Sequence, residues 1–537
     1  MNSPRHNEDG RKHQTVRMGT SITSVKNSRP VLINPPVVKP CELPAGISRL
    51  AGALEHSGHP CTVIDMNIEG LLWLSGHAKP GNDTWSARAG RNIARNLGAL
   101  RDKRTYLNFD RYKRCVIDTN RVLGTASSGD ARISLSDYED RCLSPLRSGD
   151  LLEAAAHPRD NPFYDYLSRR ISEIMAENDP PFIGFSLTYL SQALVTFASI
   201  GFLRAEYPTV KIILGGALVT SWMSNASAKI SFGGLVDAVV AGPGEVFLVE
   251  LLGSQQKSAI SSSYSYDMFP HSDYLAPGMI MPYSTSTGCY YGKCSFCPET
   301  AEGNAYYQLK PQLAVRQIGR LALRTRPSLI HILDNAISPA VLKALIKEPP
   351  GSPWYGFVRM TGELTDPDFC ARLKGSGCVM LKIGVESADQ EVLDAMRKGI
   401  DISDVSRGLR VLSEAGIGTY VYLLFGTPME NELSARRTLD FIVKHGSYIN
   451  FLNLAIFNLP HYSPDAQGVE QKSFYGGDLS FYTDFVHPKG WDRKKVRYFL
   501  DRVFTRHAAV REIVRRQPPF FTSNHAPFFC NTGVFEK

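Results

Sequence analysis

The chain has 537 residues, which is too long for one ordinary hydrophobic core and predicts two or three domains. Its composition is 43% hydrophobic and 21% charged, without an apolar run of about 18 residues, so a globular protein is expected and a membrane span is not. The formal charge of +8 is modest and no Lys/Arg block occurs, so no nucleic-acid partner is expected. Ten cysteines without regular pairing favour a reducing compartment, the cytoplasm, over a disulfide scaffold.

The first half of the chain predicts a tail followed by an α/β domain. Residues 1–30 are polar and basic without the apolar segment of a secretory signal, which predicts a disordered tail. In residues 31–253, helical patterns separate the short apolar strands "VLINPP", "CTVIDMN", "PFIGFSL", "KIILGG" and "DAVVAGPGE". Such alternation predicts a parallel sheet with crossover helices. The polar, Arg-rich residues 75–165 interrupt it and are predicted to be an insertion.

The second half of the chain repeats the alternation of predicted strands and helices. A Ser-rich linker is predicted over 254–282, and residues 283–460 contain six strand candidates with intervening helices, from "MPYSTSTGC" to "YINFLNLAIF". This pattern predicts a partial (β/α)6 barrel of the TIM type. Residues 461–537 are aromatic-rich and are predicted to be a small C-terminal capping region. Their last part is expected to form a strap on the outside of the barrel rather than to close its mouth.

Three cysteines lie close together in "STGCYYGKCSFCPET", which directly follows the first predicted barrel strand. Cys289, Cys294 and Cys297 have a C-x4-C-x2-C spacing. A structural zinc ion requires four closed ligands, whereas iron–sulfur clusters are held by thiolates, and three thiolates leave one iron of a 4Fe–4S cluster open. Gly288 and Gly292 allow the loop to wrap closely around a bulky group. The spacing favours such a cluster over a zinc site or three unrelated thiols.

This loop resembles that of the radical S-adenosylmethionine (AdoMet) superfamily. The usual spacing there is C-x3-C-x2-C with an aromatic residue before the third cysteine, and here that residue is Phe296, with a first gap one residue longer. The resemblance covers residues 283–460. It implies that the open iron binds AdoMet, that the reduced cluster cleaves it to a 5′-deoxyadenosyl radical, and that a donor such as flavodoxin or ferredoxin supplies electrons.

Further motifs follow in the order that the resemblance implies. "HILDNAIS" looks like the end of the second barrel strand, and "MLKIGVES" looks like the strand that meets the ribose of AdoMet. "DAMRKGI" looks like the segment whose cation pairs with the carboxylate of AdoMet. Each residue alone is also explained as a helix cap or a solvated side chain, so the assignment depends on their joint order. The resulting candidates for AdoMet binding are Asp334, Asn335, Glu386, Ser387 and Arg397, with Lys398 as the alternative to Arg397.

Glycines and polar residues recur at the predicted strand ends of the first domain. Glycines there allow a ligand to approach the backbone at the crevice of an open sheet. The ordered set resembles the cobalamin-binding Rossmann-like domain, which uses a D-x-H-x-x-G loop, a Ser-x-Leu and a Gly-Gly pair. Here "DMNIEG" has asparagine in place of the cobalt-ligating histidine, and Ser-x-Leu is altered. The candidates that this resemblance implies are Asp65, Asn67, Gly70, Ser186, Gly215, Gly216, Gly242, Gly244 and Glu245.

The missing histidine is informative, because an amide is a poor cobalt ligand compared with imidazole. It implies cobalamin without a protein imidazole on the cobalt, as in the cobalamin-dependent radical AdoMet enzymes that this chain resembles over 31–460. The alternative is a domain that binds nothing.

The combined resemblance implies an enzyme that transfers a methyl group to an unactivated carbon of a small molecule or peptide, through a 5′-deoxyadenosyl radical and methylcobalamin. A second hypothesis is an enzyme with the same cofactors that catalyses cyclisation, ring contraction or rearrangement. A third is a cofactor-binding redox sensor. No motif identifies the substrate or a catalytic residue.

Overall fold

A computed structural model shows that the chain divides into two compact units. The first contains the described residues of 28–35, 46–66 and 148–265, and the second contains those of 36–45, 67–147 and 266–530. The predicted tail, apart from residues 28–30, and part of the predicted linker lie outside the described residues. The structure describes residues 28–79, 81–127, 131–224, 232–254, 264–473, 476–519 and 525–530.

A five-stranded parallel sheet forms the centre of the first unit, which confirms the predicted fold of this region. Its order is β2-β1-β3-β4-β5, so the order reverses between β1 and β3. Ligands of open α/β sheets bind beyond the carboxyl ends of the strands at such a reversal. The strands are β1 (Val31–Asn34), β2 (Thr62–Asp65), β3 (Ile183–Ser186), β4 (Ile212–Gly215) and β5 (Ala238–Val240).

Helices connect these strands and supply the apolar faces that cover the sheet. Helix Leu190–Glu206 is buried along most of its length, as its nearly continuous apolar sequence predicts. Gly201 in this helix has no room for a side chain, because a Cβ would meet the backbone of Ala155. The remaining helices of this unit are Ala45–His56, Ser148–Ala156, Tyr164–Glu177, Ala217–Ser224 and Glu245–Leu251.

Residues 67–147 belong to the second unit. Asp83 and Asn108 cap two of their helices by accepting hydrogen bonds from backbone N–H groups of the first turn. The elements are the helices Met66–His77, Thr84–Arg91, Ile93–Leu100 and Phe109–Ala126 and a hairpin of Ala131–Ile133 with Tyr138–Asp140.

The second unit is built on a six-stranded parallel sheet in which each strand pairs with its neighbour in the sequence. This arrangement confirms the predicted partial barrel. All carboxyl ends lie at one edge, where the sites of such barrels are found. The strands are β6 (Ile280–Tyr283), β7 (Leu329–Ile332), β8 (Trp354–Val358), β9 (Cys378–Glu386), β10 (Gly418–Phe425) and β11 (Phe451–Ile456).

Several helices of this unit begin at a proline, whose fixed φ suits the first helical position. None of the helices in the described part of the chain has both the length and the apolar character that a membrane span needs. Besides the helices of residues 67–147, the described helices of seven or more residues in this unit are Pro311–Thr325, Pro339–Lys347, Pro367–Gly375, Ile402–Glu414, Glu432–His445, Arg493–Phe499 and Ala508–Arg515.

The C-terminal segment 525–530 packs where two barrel strands begin. The His525 ring lies 4.2 Å from the ring of Tyr420 and 4.6 Å from that of Phe451, and the Phe529 ring lies 5.8 Å from that of Phe451. A side chain at Gly418 would meet the Phe529 ring. These contacts place the segment away from the carboxyl edge of the sheet.

Candidate functional site

The three cysteines lie in a loop at the carboxyl edge of the six-stranded sheet. Shortly after β6, residues Ser286–Thr287 pair with Tyr307–Gln308, and the cysteine loop lies between these two segments. Gly288 has φ of +70°, and a Cβ there would lie 2.6 Å from the carbonyl oxygen of Ala305. Gly292 also has a positive φ, of 57°. Both conformations favour glycine, as the sequence predicted.

The thiols are close enough to influence one another. Burial raises the pKa of Cys294, while the charges of Lys398 and Arg359 oppose this rise. Burial also raises the pKa of Cys297 to about 11, and the neighbouring Cys294 contributes. Burial therefore favours the protonated form of Cys294 and Cys297 until a metal displaces their protons.

The loop offers three thiols, the ligand type that holds iron–sulfur clusters. In the described residues no three His, Cys, Asp or Glu side chains form a group arranged to hold a metal ion. The cysteines of a cluster bind different iron atoms, so they need not converge on one point. The loop, with its glycines and its mutually interacting thiols, suits such a ligand.

Arg359 connects the cysteine loop to the segment that follows helix Gln390–Ala395. Its guanidinium lies 3.4 Å from the centre of the Tyr291 ring, and Nη1 is 3.9 Å from Sγ of Cys294. Nη2 donates hydrogen bonds to the carbonyl oxygens of Lys398 (2.5 Å) and Gly399 (3.3 Å). The sequence analysis missed this residue. The available signal was a cation directly after a barrel strand, in "WYGFVRM".

Glu386, Lys398 and Phe296 come together beside this loop. Lys398 Nζ donates to Glu386 Oε1 at 2.7 Å and lies 5.5 Å from the centre of the Phe296 ring. Glu386 has φ of +66°, a strained conformation that ends β9. Arg397 also has a positive φ, but its side chain is exposed, so Lys398 is the cation that lies beside Glu386.

Asp334 and Asn335 hold the cysteine loop to the end of β7. The Asp334 carboxylate is buried and accepts hydrogen bonds from the N–H groups of Thr285 (2.7 Å) and Ser286 (3.2 Å) and from the Thr285 hydroxyl. The exposed Asn335 donates to the carbonyl oxygen of Gly288 at 3.3 Å. These contacts favour a positioning role over direct contact with AdoMet.

Ser387 is also engaged by the protein. It is fully buried, its hydroxyl lies 3.4 Å from that of Thr438, and it accepts a hydrogen bond of 3.2 Å from the N–H of Asp389. Of the predicted residues near the ribose, Glu386 is therefore the one beside the cysteine loop, and Ser387 supports the following turn.

A polar network joins the carboxyl ends of the strands in the first unit. Asn34 Nδ2 donates to the Asp65 carboxylate at 2.8 Å. Gln192, which is fully buried, donates to Oδ1 of Asn34 (3.3 Å) and to the carbonyl oxygen of Pro35 (2.7 Å). Ser186 ends β3 at the same edge. Asn34 and Gln192 were missed by the sequence analysis, because neither belongs to the motif that the resemblance supplied.

Asn67 directs its side chain to the backbone. Its Oδ1 accepts a 2.8 Å hydrogen bond from the N–H of Val38, and Asn67 and Gly70 both lie in helix Met66–His77. The position that carries a histidine in the resembled loop therefore presents neither an imidazole nor a free amide oxygen.

The candidate glycines of the first unit differ in whether packing requires a glycine at their positions. Gly216 has φ of +111°, and a Cβ there would meet the backbone of Leu187, so packing alone requires glycine. A Cβ on Gly215 would make only an ordinary 3.4 Å contact, and one on Gly242 would point into open space. The Thr220 hydroxyl joins the two loops, since it donates to the carbonyl oxygen of Gly216 and accepts from the N–H of Gly242, both at 2.9 Å.

Gly244 and Glu245 begin the last helix of the first unit. A Cβ on Gly244 would lie 3.3 Å from Cδ2 of Leu50. The buried carboxylate of Glu245 forms an ion pair with Arg49. Gly215 and Gly242 thus leave open backbone at the sheet edge, which suits a large ligand, whereas Glu245 is committed to an internal ion pair.

A buried chain of titratable groups joins two barrel strands to Glu42. Lys382 Nζ on β9 is 3.1 Å from Nε2 of His331 on β7, and Nδ1 of His331 is 3.0 Å from the Glu42 carboxylate. Burial, with the charge of Lys382, lowers the pKa of His331 to about 4, so its ring is neutral. Burial alone would raise the pKa of Glu42, but Lys39 and His331 lower it below its usual value. Nδ1 therefore donates to Glu42, and Nε2 accepts from Lys382.

We expect Lys382→Met to be more heat-stable than the wild type at pH 6.5, by a margin that shrinks towards pH 8.5. Burial, followed by the charge of Lys39, lowers the pKa of Lys382 from 10.5 to about 7. Between these values the unfolded chain binds more protons, so wild-type stability rises with pH, by up to about 1.4 kcal/mol per pH unit. Melting temperatures across this range measure the difference. The exposed Lys347→Met is the control, and an equal pH slope in both variants would contradict the assignment.

Comparison with known proteins agrees with this geometry. Residues 283–442 match the family model of the radical SAM superfamily, which agrees with the resemblance predicted over 283–460. The fold resembles that of the radical S-adenosylmethionine methyltransferase TsrM from Kitasatospora setae, with a TM-score of 0.52 and 16% identity over 87% of this chain and 85% of that chain. The likeness to cobalamin-dependent radical SAM enzymes is therefore confirmed at the level of the fold.

Two curated relatives share part of their length with this chain. Anaerobic magnesium-protoporphyrin IX monomethyl ester cyclase from Rubrivivax gelatinosus is 22% identical, over 43% of this chain and 44% of the relative. Tryptophan 2-C-methyltransferase from Streptomyces laurentii is 26% identical, over 35% of this chain and 34% of the relative. The alignments thus span less than half the length of either relative.

Proposed function

We propose that this protein is a cobalamin-dependent radical AdoMet enzyme that transfers a methyl group to a carbon atom of a small molecule or peptide. The observation that carries the proposal is the cysteine loop at the carboxyl edge of the six-stranded sheet, with the Glu386–Lys398 ion pair beside it. The glycines at the carboxyl edge of the first sheet leave open backbone, which supports a site for the second cofactor there. The structure of TsrM was determined with cobalamin and a [4Fe-4S] cluster bound, which supports the same cofactors here.

Cys289, Cys294 and Cys297 would hold the 4Fe–4S cluster, and Glu386 and Lys398 would contact AdoMet. When bound, the cluster and AdoMet supply a strongly hydrogen-abstracting radical and cobalamin supplies a methyl group.

The chain's own residues hold these groups in place and keep water away. Arg359 places positive charge beside Cys294, and this charge stabilises a thiolate there. Phe296, whose ring lies beneath Lys398, covers one side of the loop with apolar surface. Asp334 fixes the strand end from which the loop departs. Together these contacts pre-organise the loop for its ligand.

Gly215 and Gly242 of the first unit would border the cobalamin site, together with Ser186 and the Asn34–Asp65 pair. The resembled loop has its cobalt-binding histidine where this chain has Asn67, so this position would offer no imidazole to cobalt. Reduction of the cluster requires an external one-electron donor, for which a flavodoxin or ferredoxin is suitable.

A second candidate function is cyclisation without methyl transfer. The similarity to the magnesium-protoporphyrin monomethyl ester cyclase favours it, since that relative is named for ring formation. Both candidates use the same cysteine loop, so the fate of AdoMet separates them.

The test is AdoMet turnover by anaerobically reconstituted, reduced enzyme supplied with cobalamin and candidate substrates. Methyl transfer predicts that S-adenosylhomocysteine and 5′-deoxyadenosine both form. Formation of 5′-deoxyadenosine alone would favour cyclisation or rearrangement. Formation of neither would favour a sensor and contradict the proposed enzyme.

A further inference from the structure

A surface cavity of about 490 Å³ in the second unit lies between helices Ile93–Leu100 and Phe109–Ala126. Three arginines, Arg95, Arg111 and Arg114, line it. No predicted site includes these residues, and none of them belongs to the cysteine loop.

The three arginines act electrostatically on a common point, the thiol of Cys115. Burial raises the pKa of Cys115, which also lines the cavity, and the charges of Arg111, Arg95 and Arg114 all oppose that rise. Among the described residues no carboxylate lies within ion-pair distance of any of the three, whereas the nearby Arg121 is paired with an aspartate. Asp110 contributes the single carboxylate among the lining residues.

A buried donor also lines the cavity. Asn96 is 5% exposed, and its Nδ2 has no hydrogen-bond partner among the described residues. A buried amide donor without a partner is unfavourable, so an acceptor within its reach would be stabilised. Asn108, at the N-terminus of the 18-residue helix Phe109–Ala126, lines the cavity too, and this helix end favours negative charge.

We propose that this cavity binds a small, soluble phosphate-bearing molecule. Guanidinium groups match the oxygen geometry of phosphate, and three of them with an amide donor and a helix N-terminus form a site that is poor in competing acceptors. The volume exceeds that of a single phosphate ion and is within the range of small-molecule pockets. The inference is independent of the proposed function, because it uses no residue of either cofactor site.

The probe is pyrophosphate, titrated calorimetrically into the full-length reconstituted protein at low and moderate salt. We expect saturable binding of one pyrophosphate per chain, weakened about tenfold or more by the double variant Arg111→Gln/Arg114→Gln. Asn96→Asp should weaken it similarly, because it adds a negative charge in the cavity. The exposed Arg91→Gln, outside the cavity lining, is the matched control and should leave affinity unchanged.

Three outcomes would overturn the proposal: absence of saturable binding at millimolar pyrophosphate, equal weakening by Arg91→Gln, and binding to vesicles of anionic phospholipid that pyrophosphate does not compete. The last would assign the arginines to a membrane surface. The double variant changes only exposed side chains, so it remains informative if Asn96→Asp fails to fold. Melting temperatures verify the fold of each variant.

Discussion

Replacing Cys289, Cys294 and Cys297 together by alanine should abolish binding of iron and sulfide and all AdoMet cleavage. The three thiols are the ligands that the loop offers, and a cluster without them has no attachment in this site. The measurements are iron and sulfide content after anaerobic reconstitution and the thiolate-to-iron absorption at roughly 400 nm.

The triple variant has two internal controls. The exposed Cys142→Ala lies outside the loop and should retain the full cluster. Cobalamin retention by the triple variant should remain at the wild-type level, since the glycine edge belongs to the first unit. Retained iron and sulfide in the triple variant would contradict the assignment, because the cluster would then be held by other residues.

Gly215→Phe should reduce the affinity for cobalamin about tenfold or more, while the cluster content stays unchanged. Gly215 ends β4, and a Cβ there meets only an ordinary contact, so the larger side chain is introduced at the carboxyl edge without a clash at its Cβ. A clash of 1.4 kcal/mol already corresponds to about tenfold. Gly216 would be a poorer choice, because any side chain there meets the Leu187 backbone and tests the fold instead.

The matched control for Gly215→Phe is Glu206→Phe. Glu206 is exposed and ends the helix that precedes β4, so the same ring is added away from the carboxyl edge. Cobalamin bound after gel filtration, measured by absorbance, gives the comparison. Wild-type retention by Gly215→Phe would contradict a cobalamin site at this edge.

The sequence predicted well what local patterns determine. The strands from "VLINPP" to "YINFLNLAIF" form two parallel sheets. Short apolar strands that alternate with amphipathic helices are compatible with few other folds. Gly288 and Gly292 were predicted to let the loop wrap closely, and both have a positive φ, which glycine adopts readily.

Partners distant in sequence could not be predicted in this way. Asp334 was assigned to AdoMet, yet its hydrogen bonds go to Thr285 and Ser286, on the other side of a helix and a strand. Lys382 stood out only as a cation within the apolar run "CVMLKIGVE", and nothing local indicates that His331 and Glu42 meet it. Hydrophobic periodicity gives the buried face of an element but not the identity of the side chain opposite.

The most direct test of methyl transfer uses AdoMet labelled in its methyl group. The enzyme is reconstituted with cluster and cobalamin, reduced, and incubated with candidate substrates, and the extracted cobalamin and the product are analysed by mass spectrometry. We predict that the label appears on cobalamin and then as one methyl group in the product, with S-adenosylhomocysteine and 5′-deoxyadenosine both formed. If 5′-deoxyadenosine and a product form while neither cobalamin nor product carries the label, the methyltransferase assignment is contradicted and cyclisation or rearrangement replaces it.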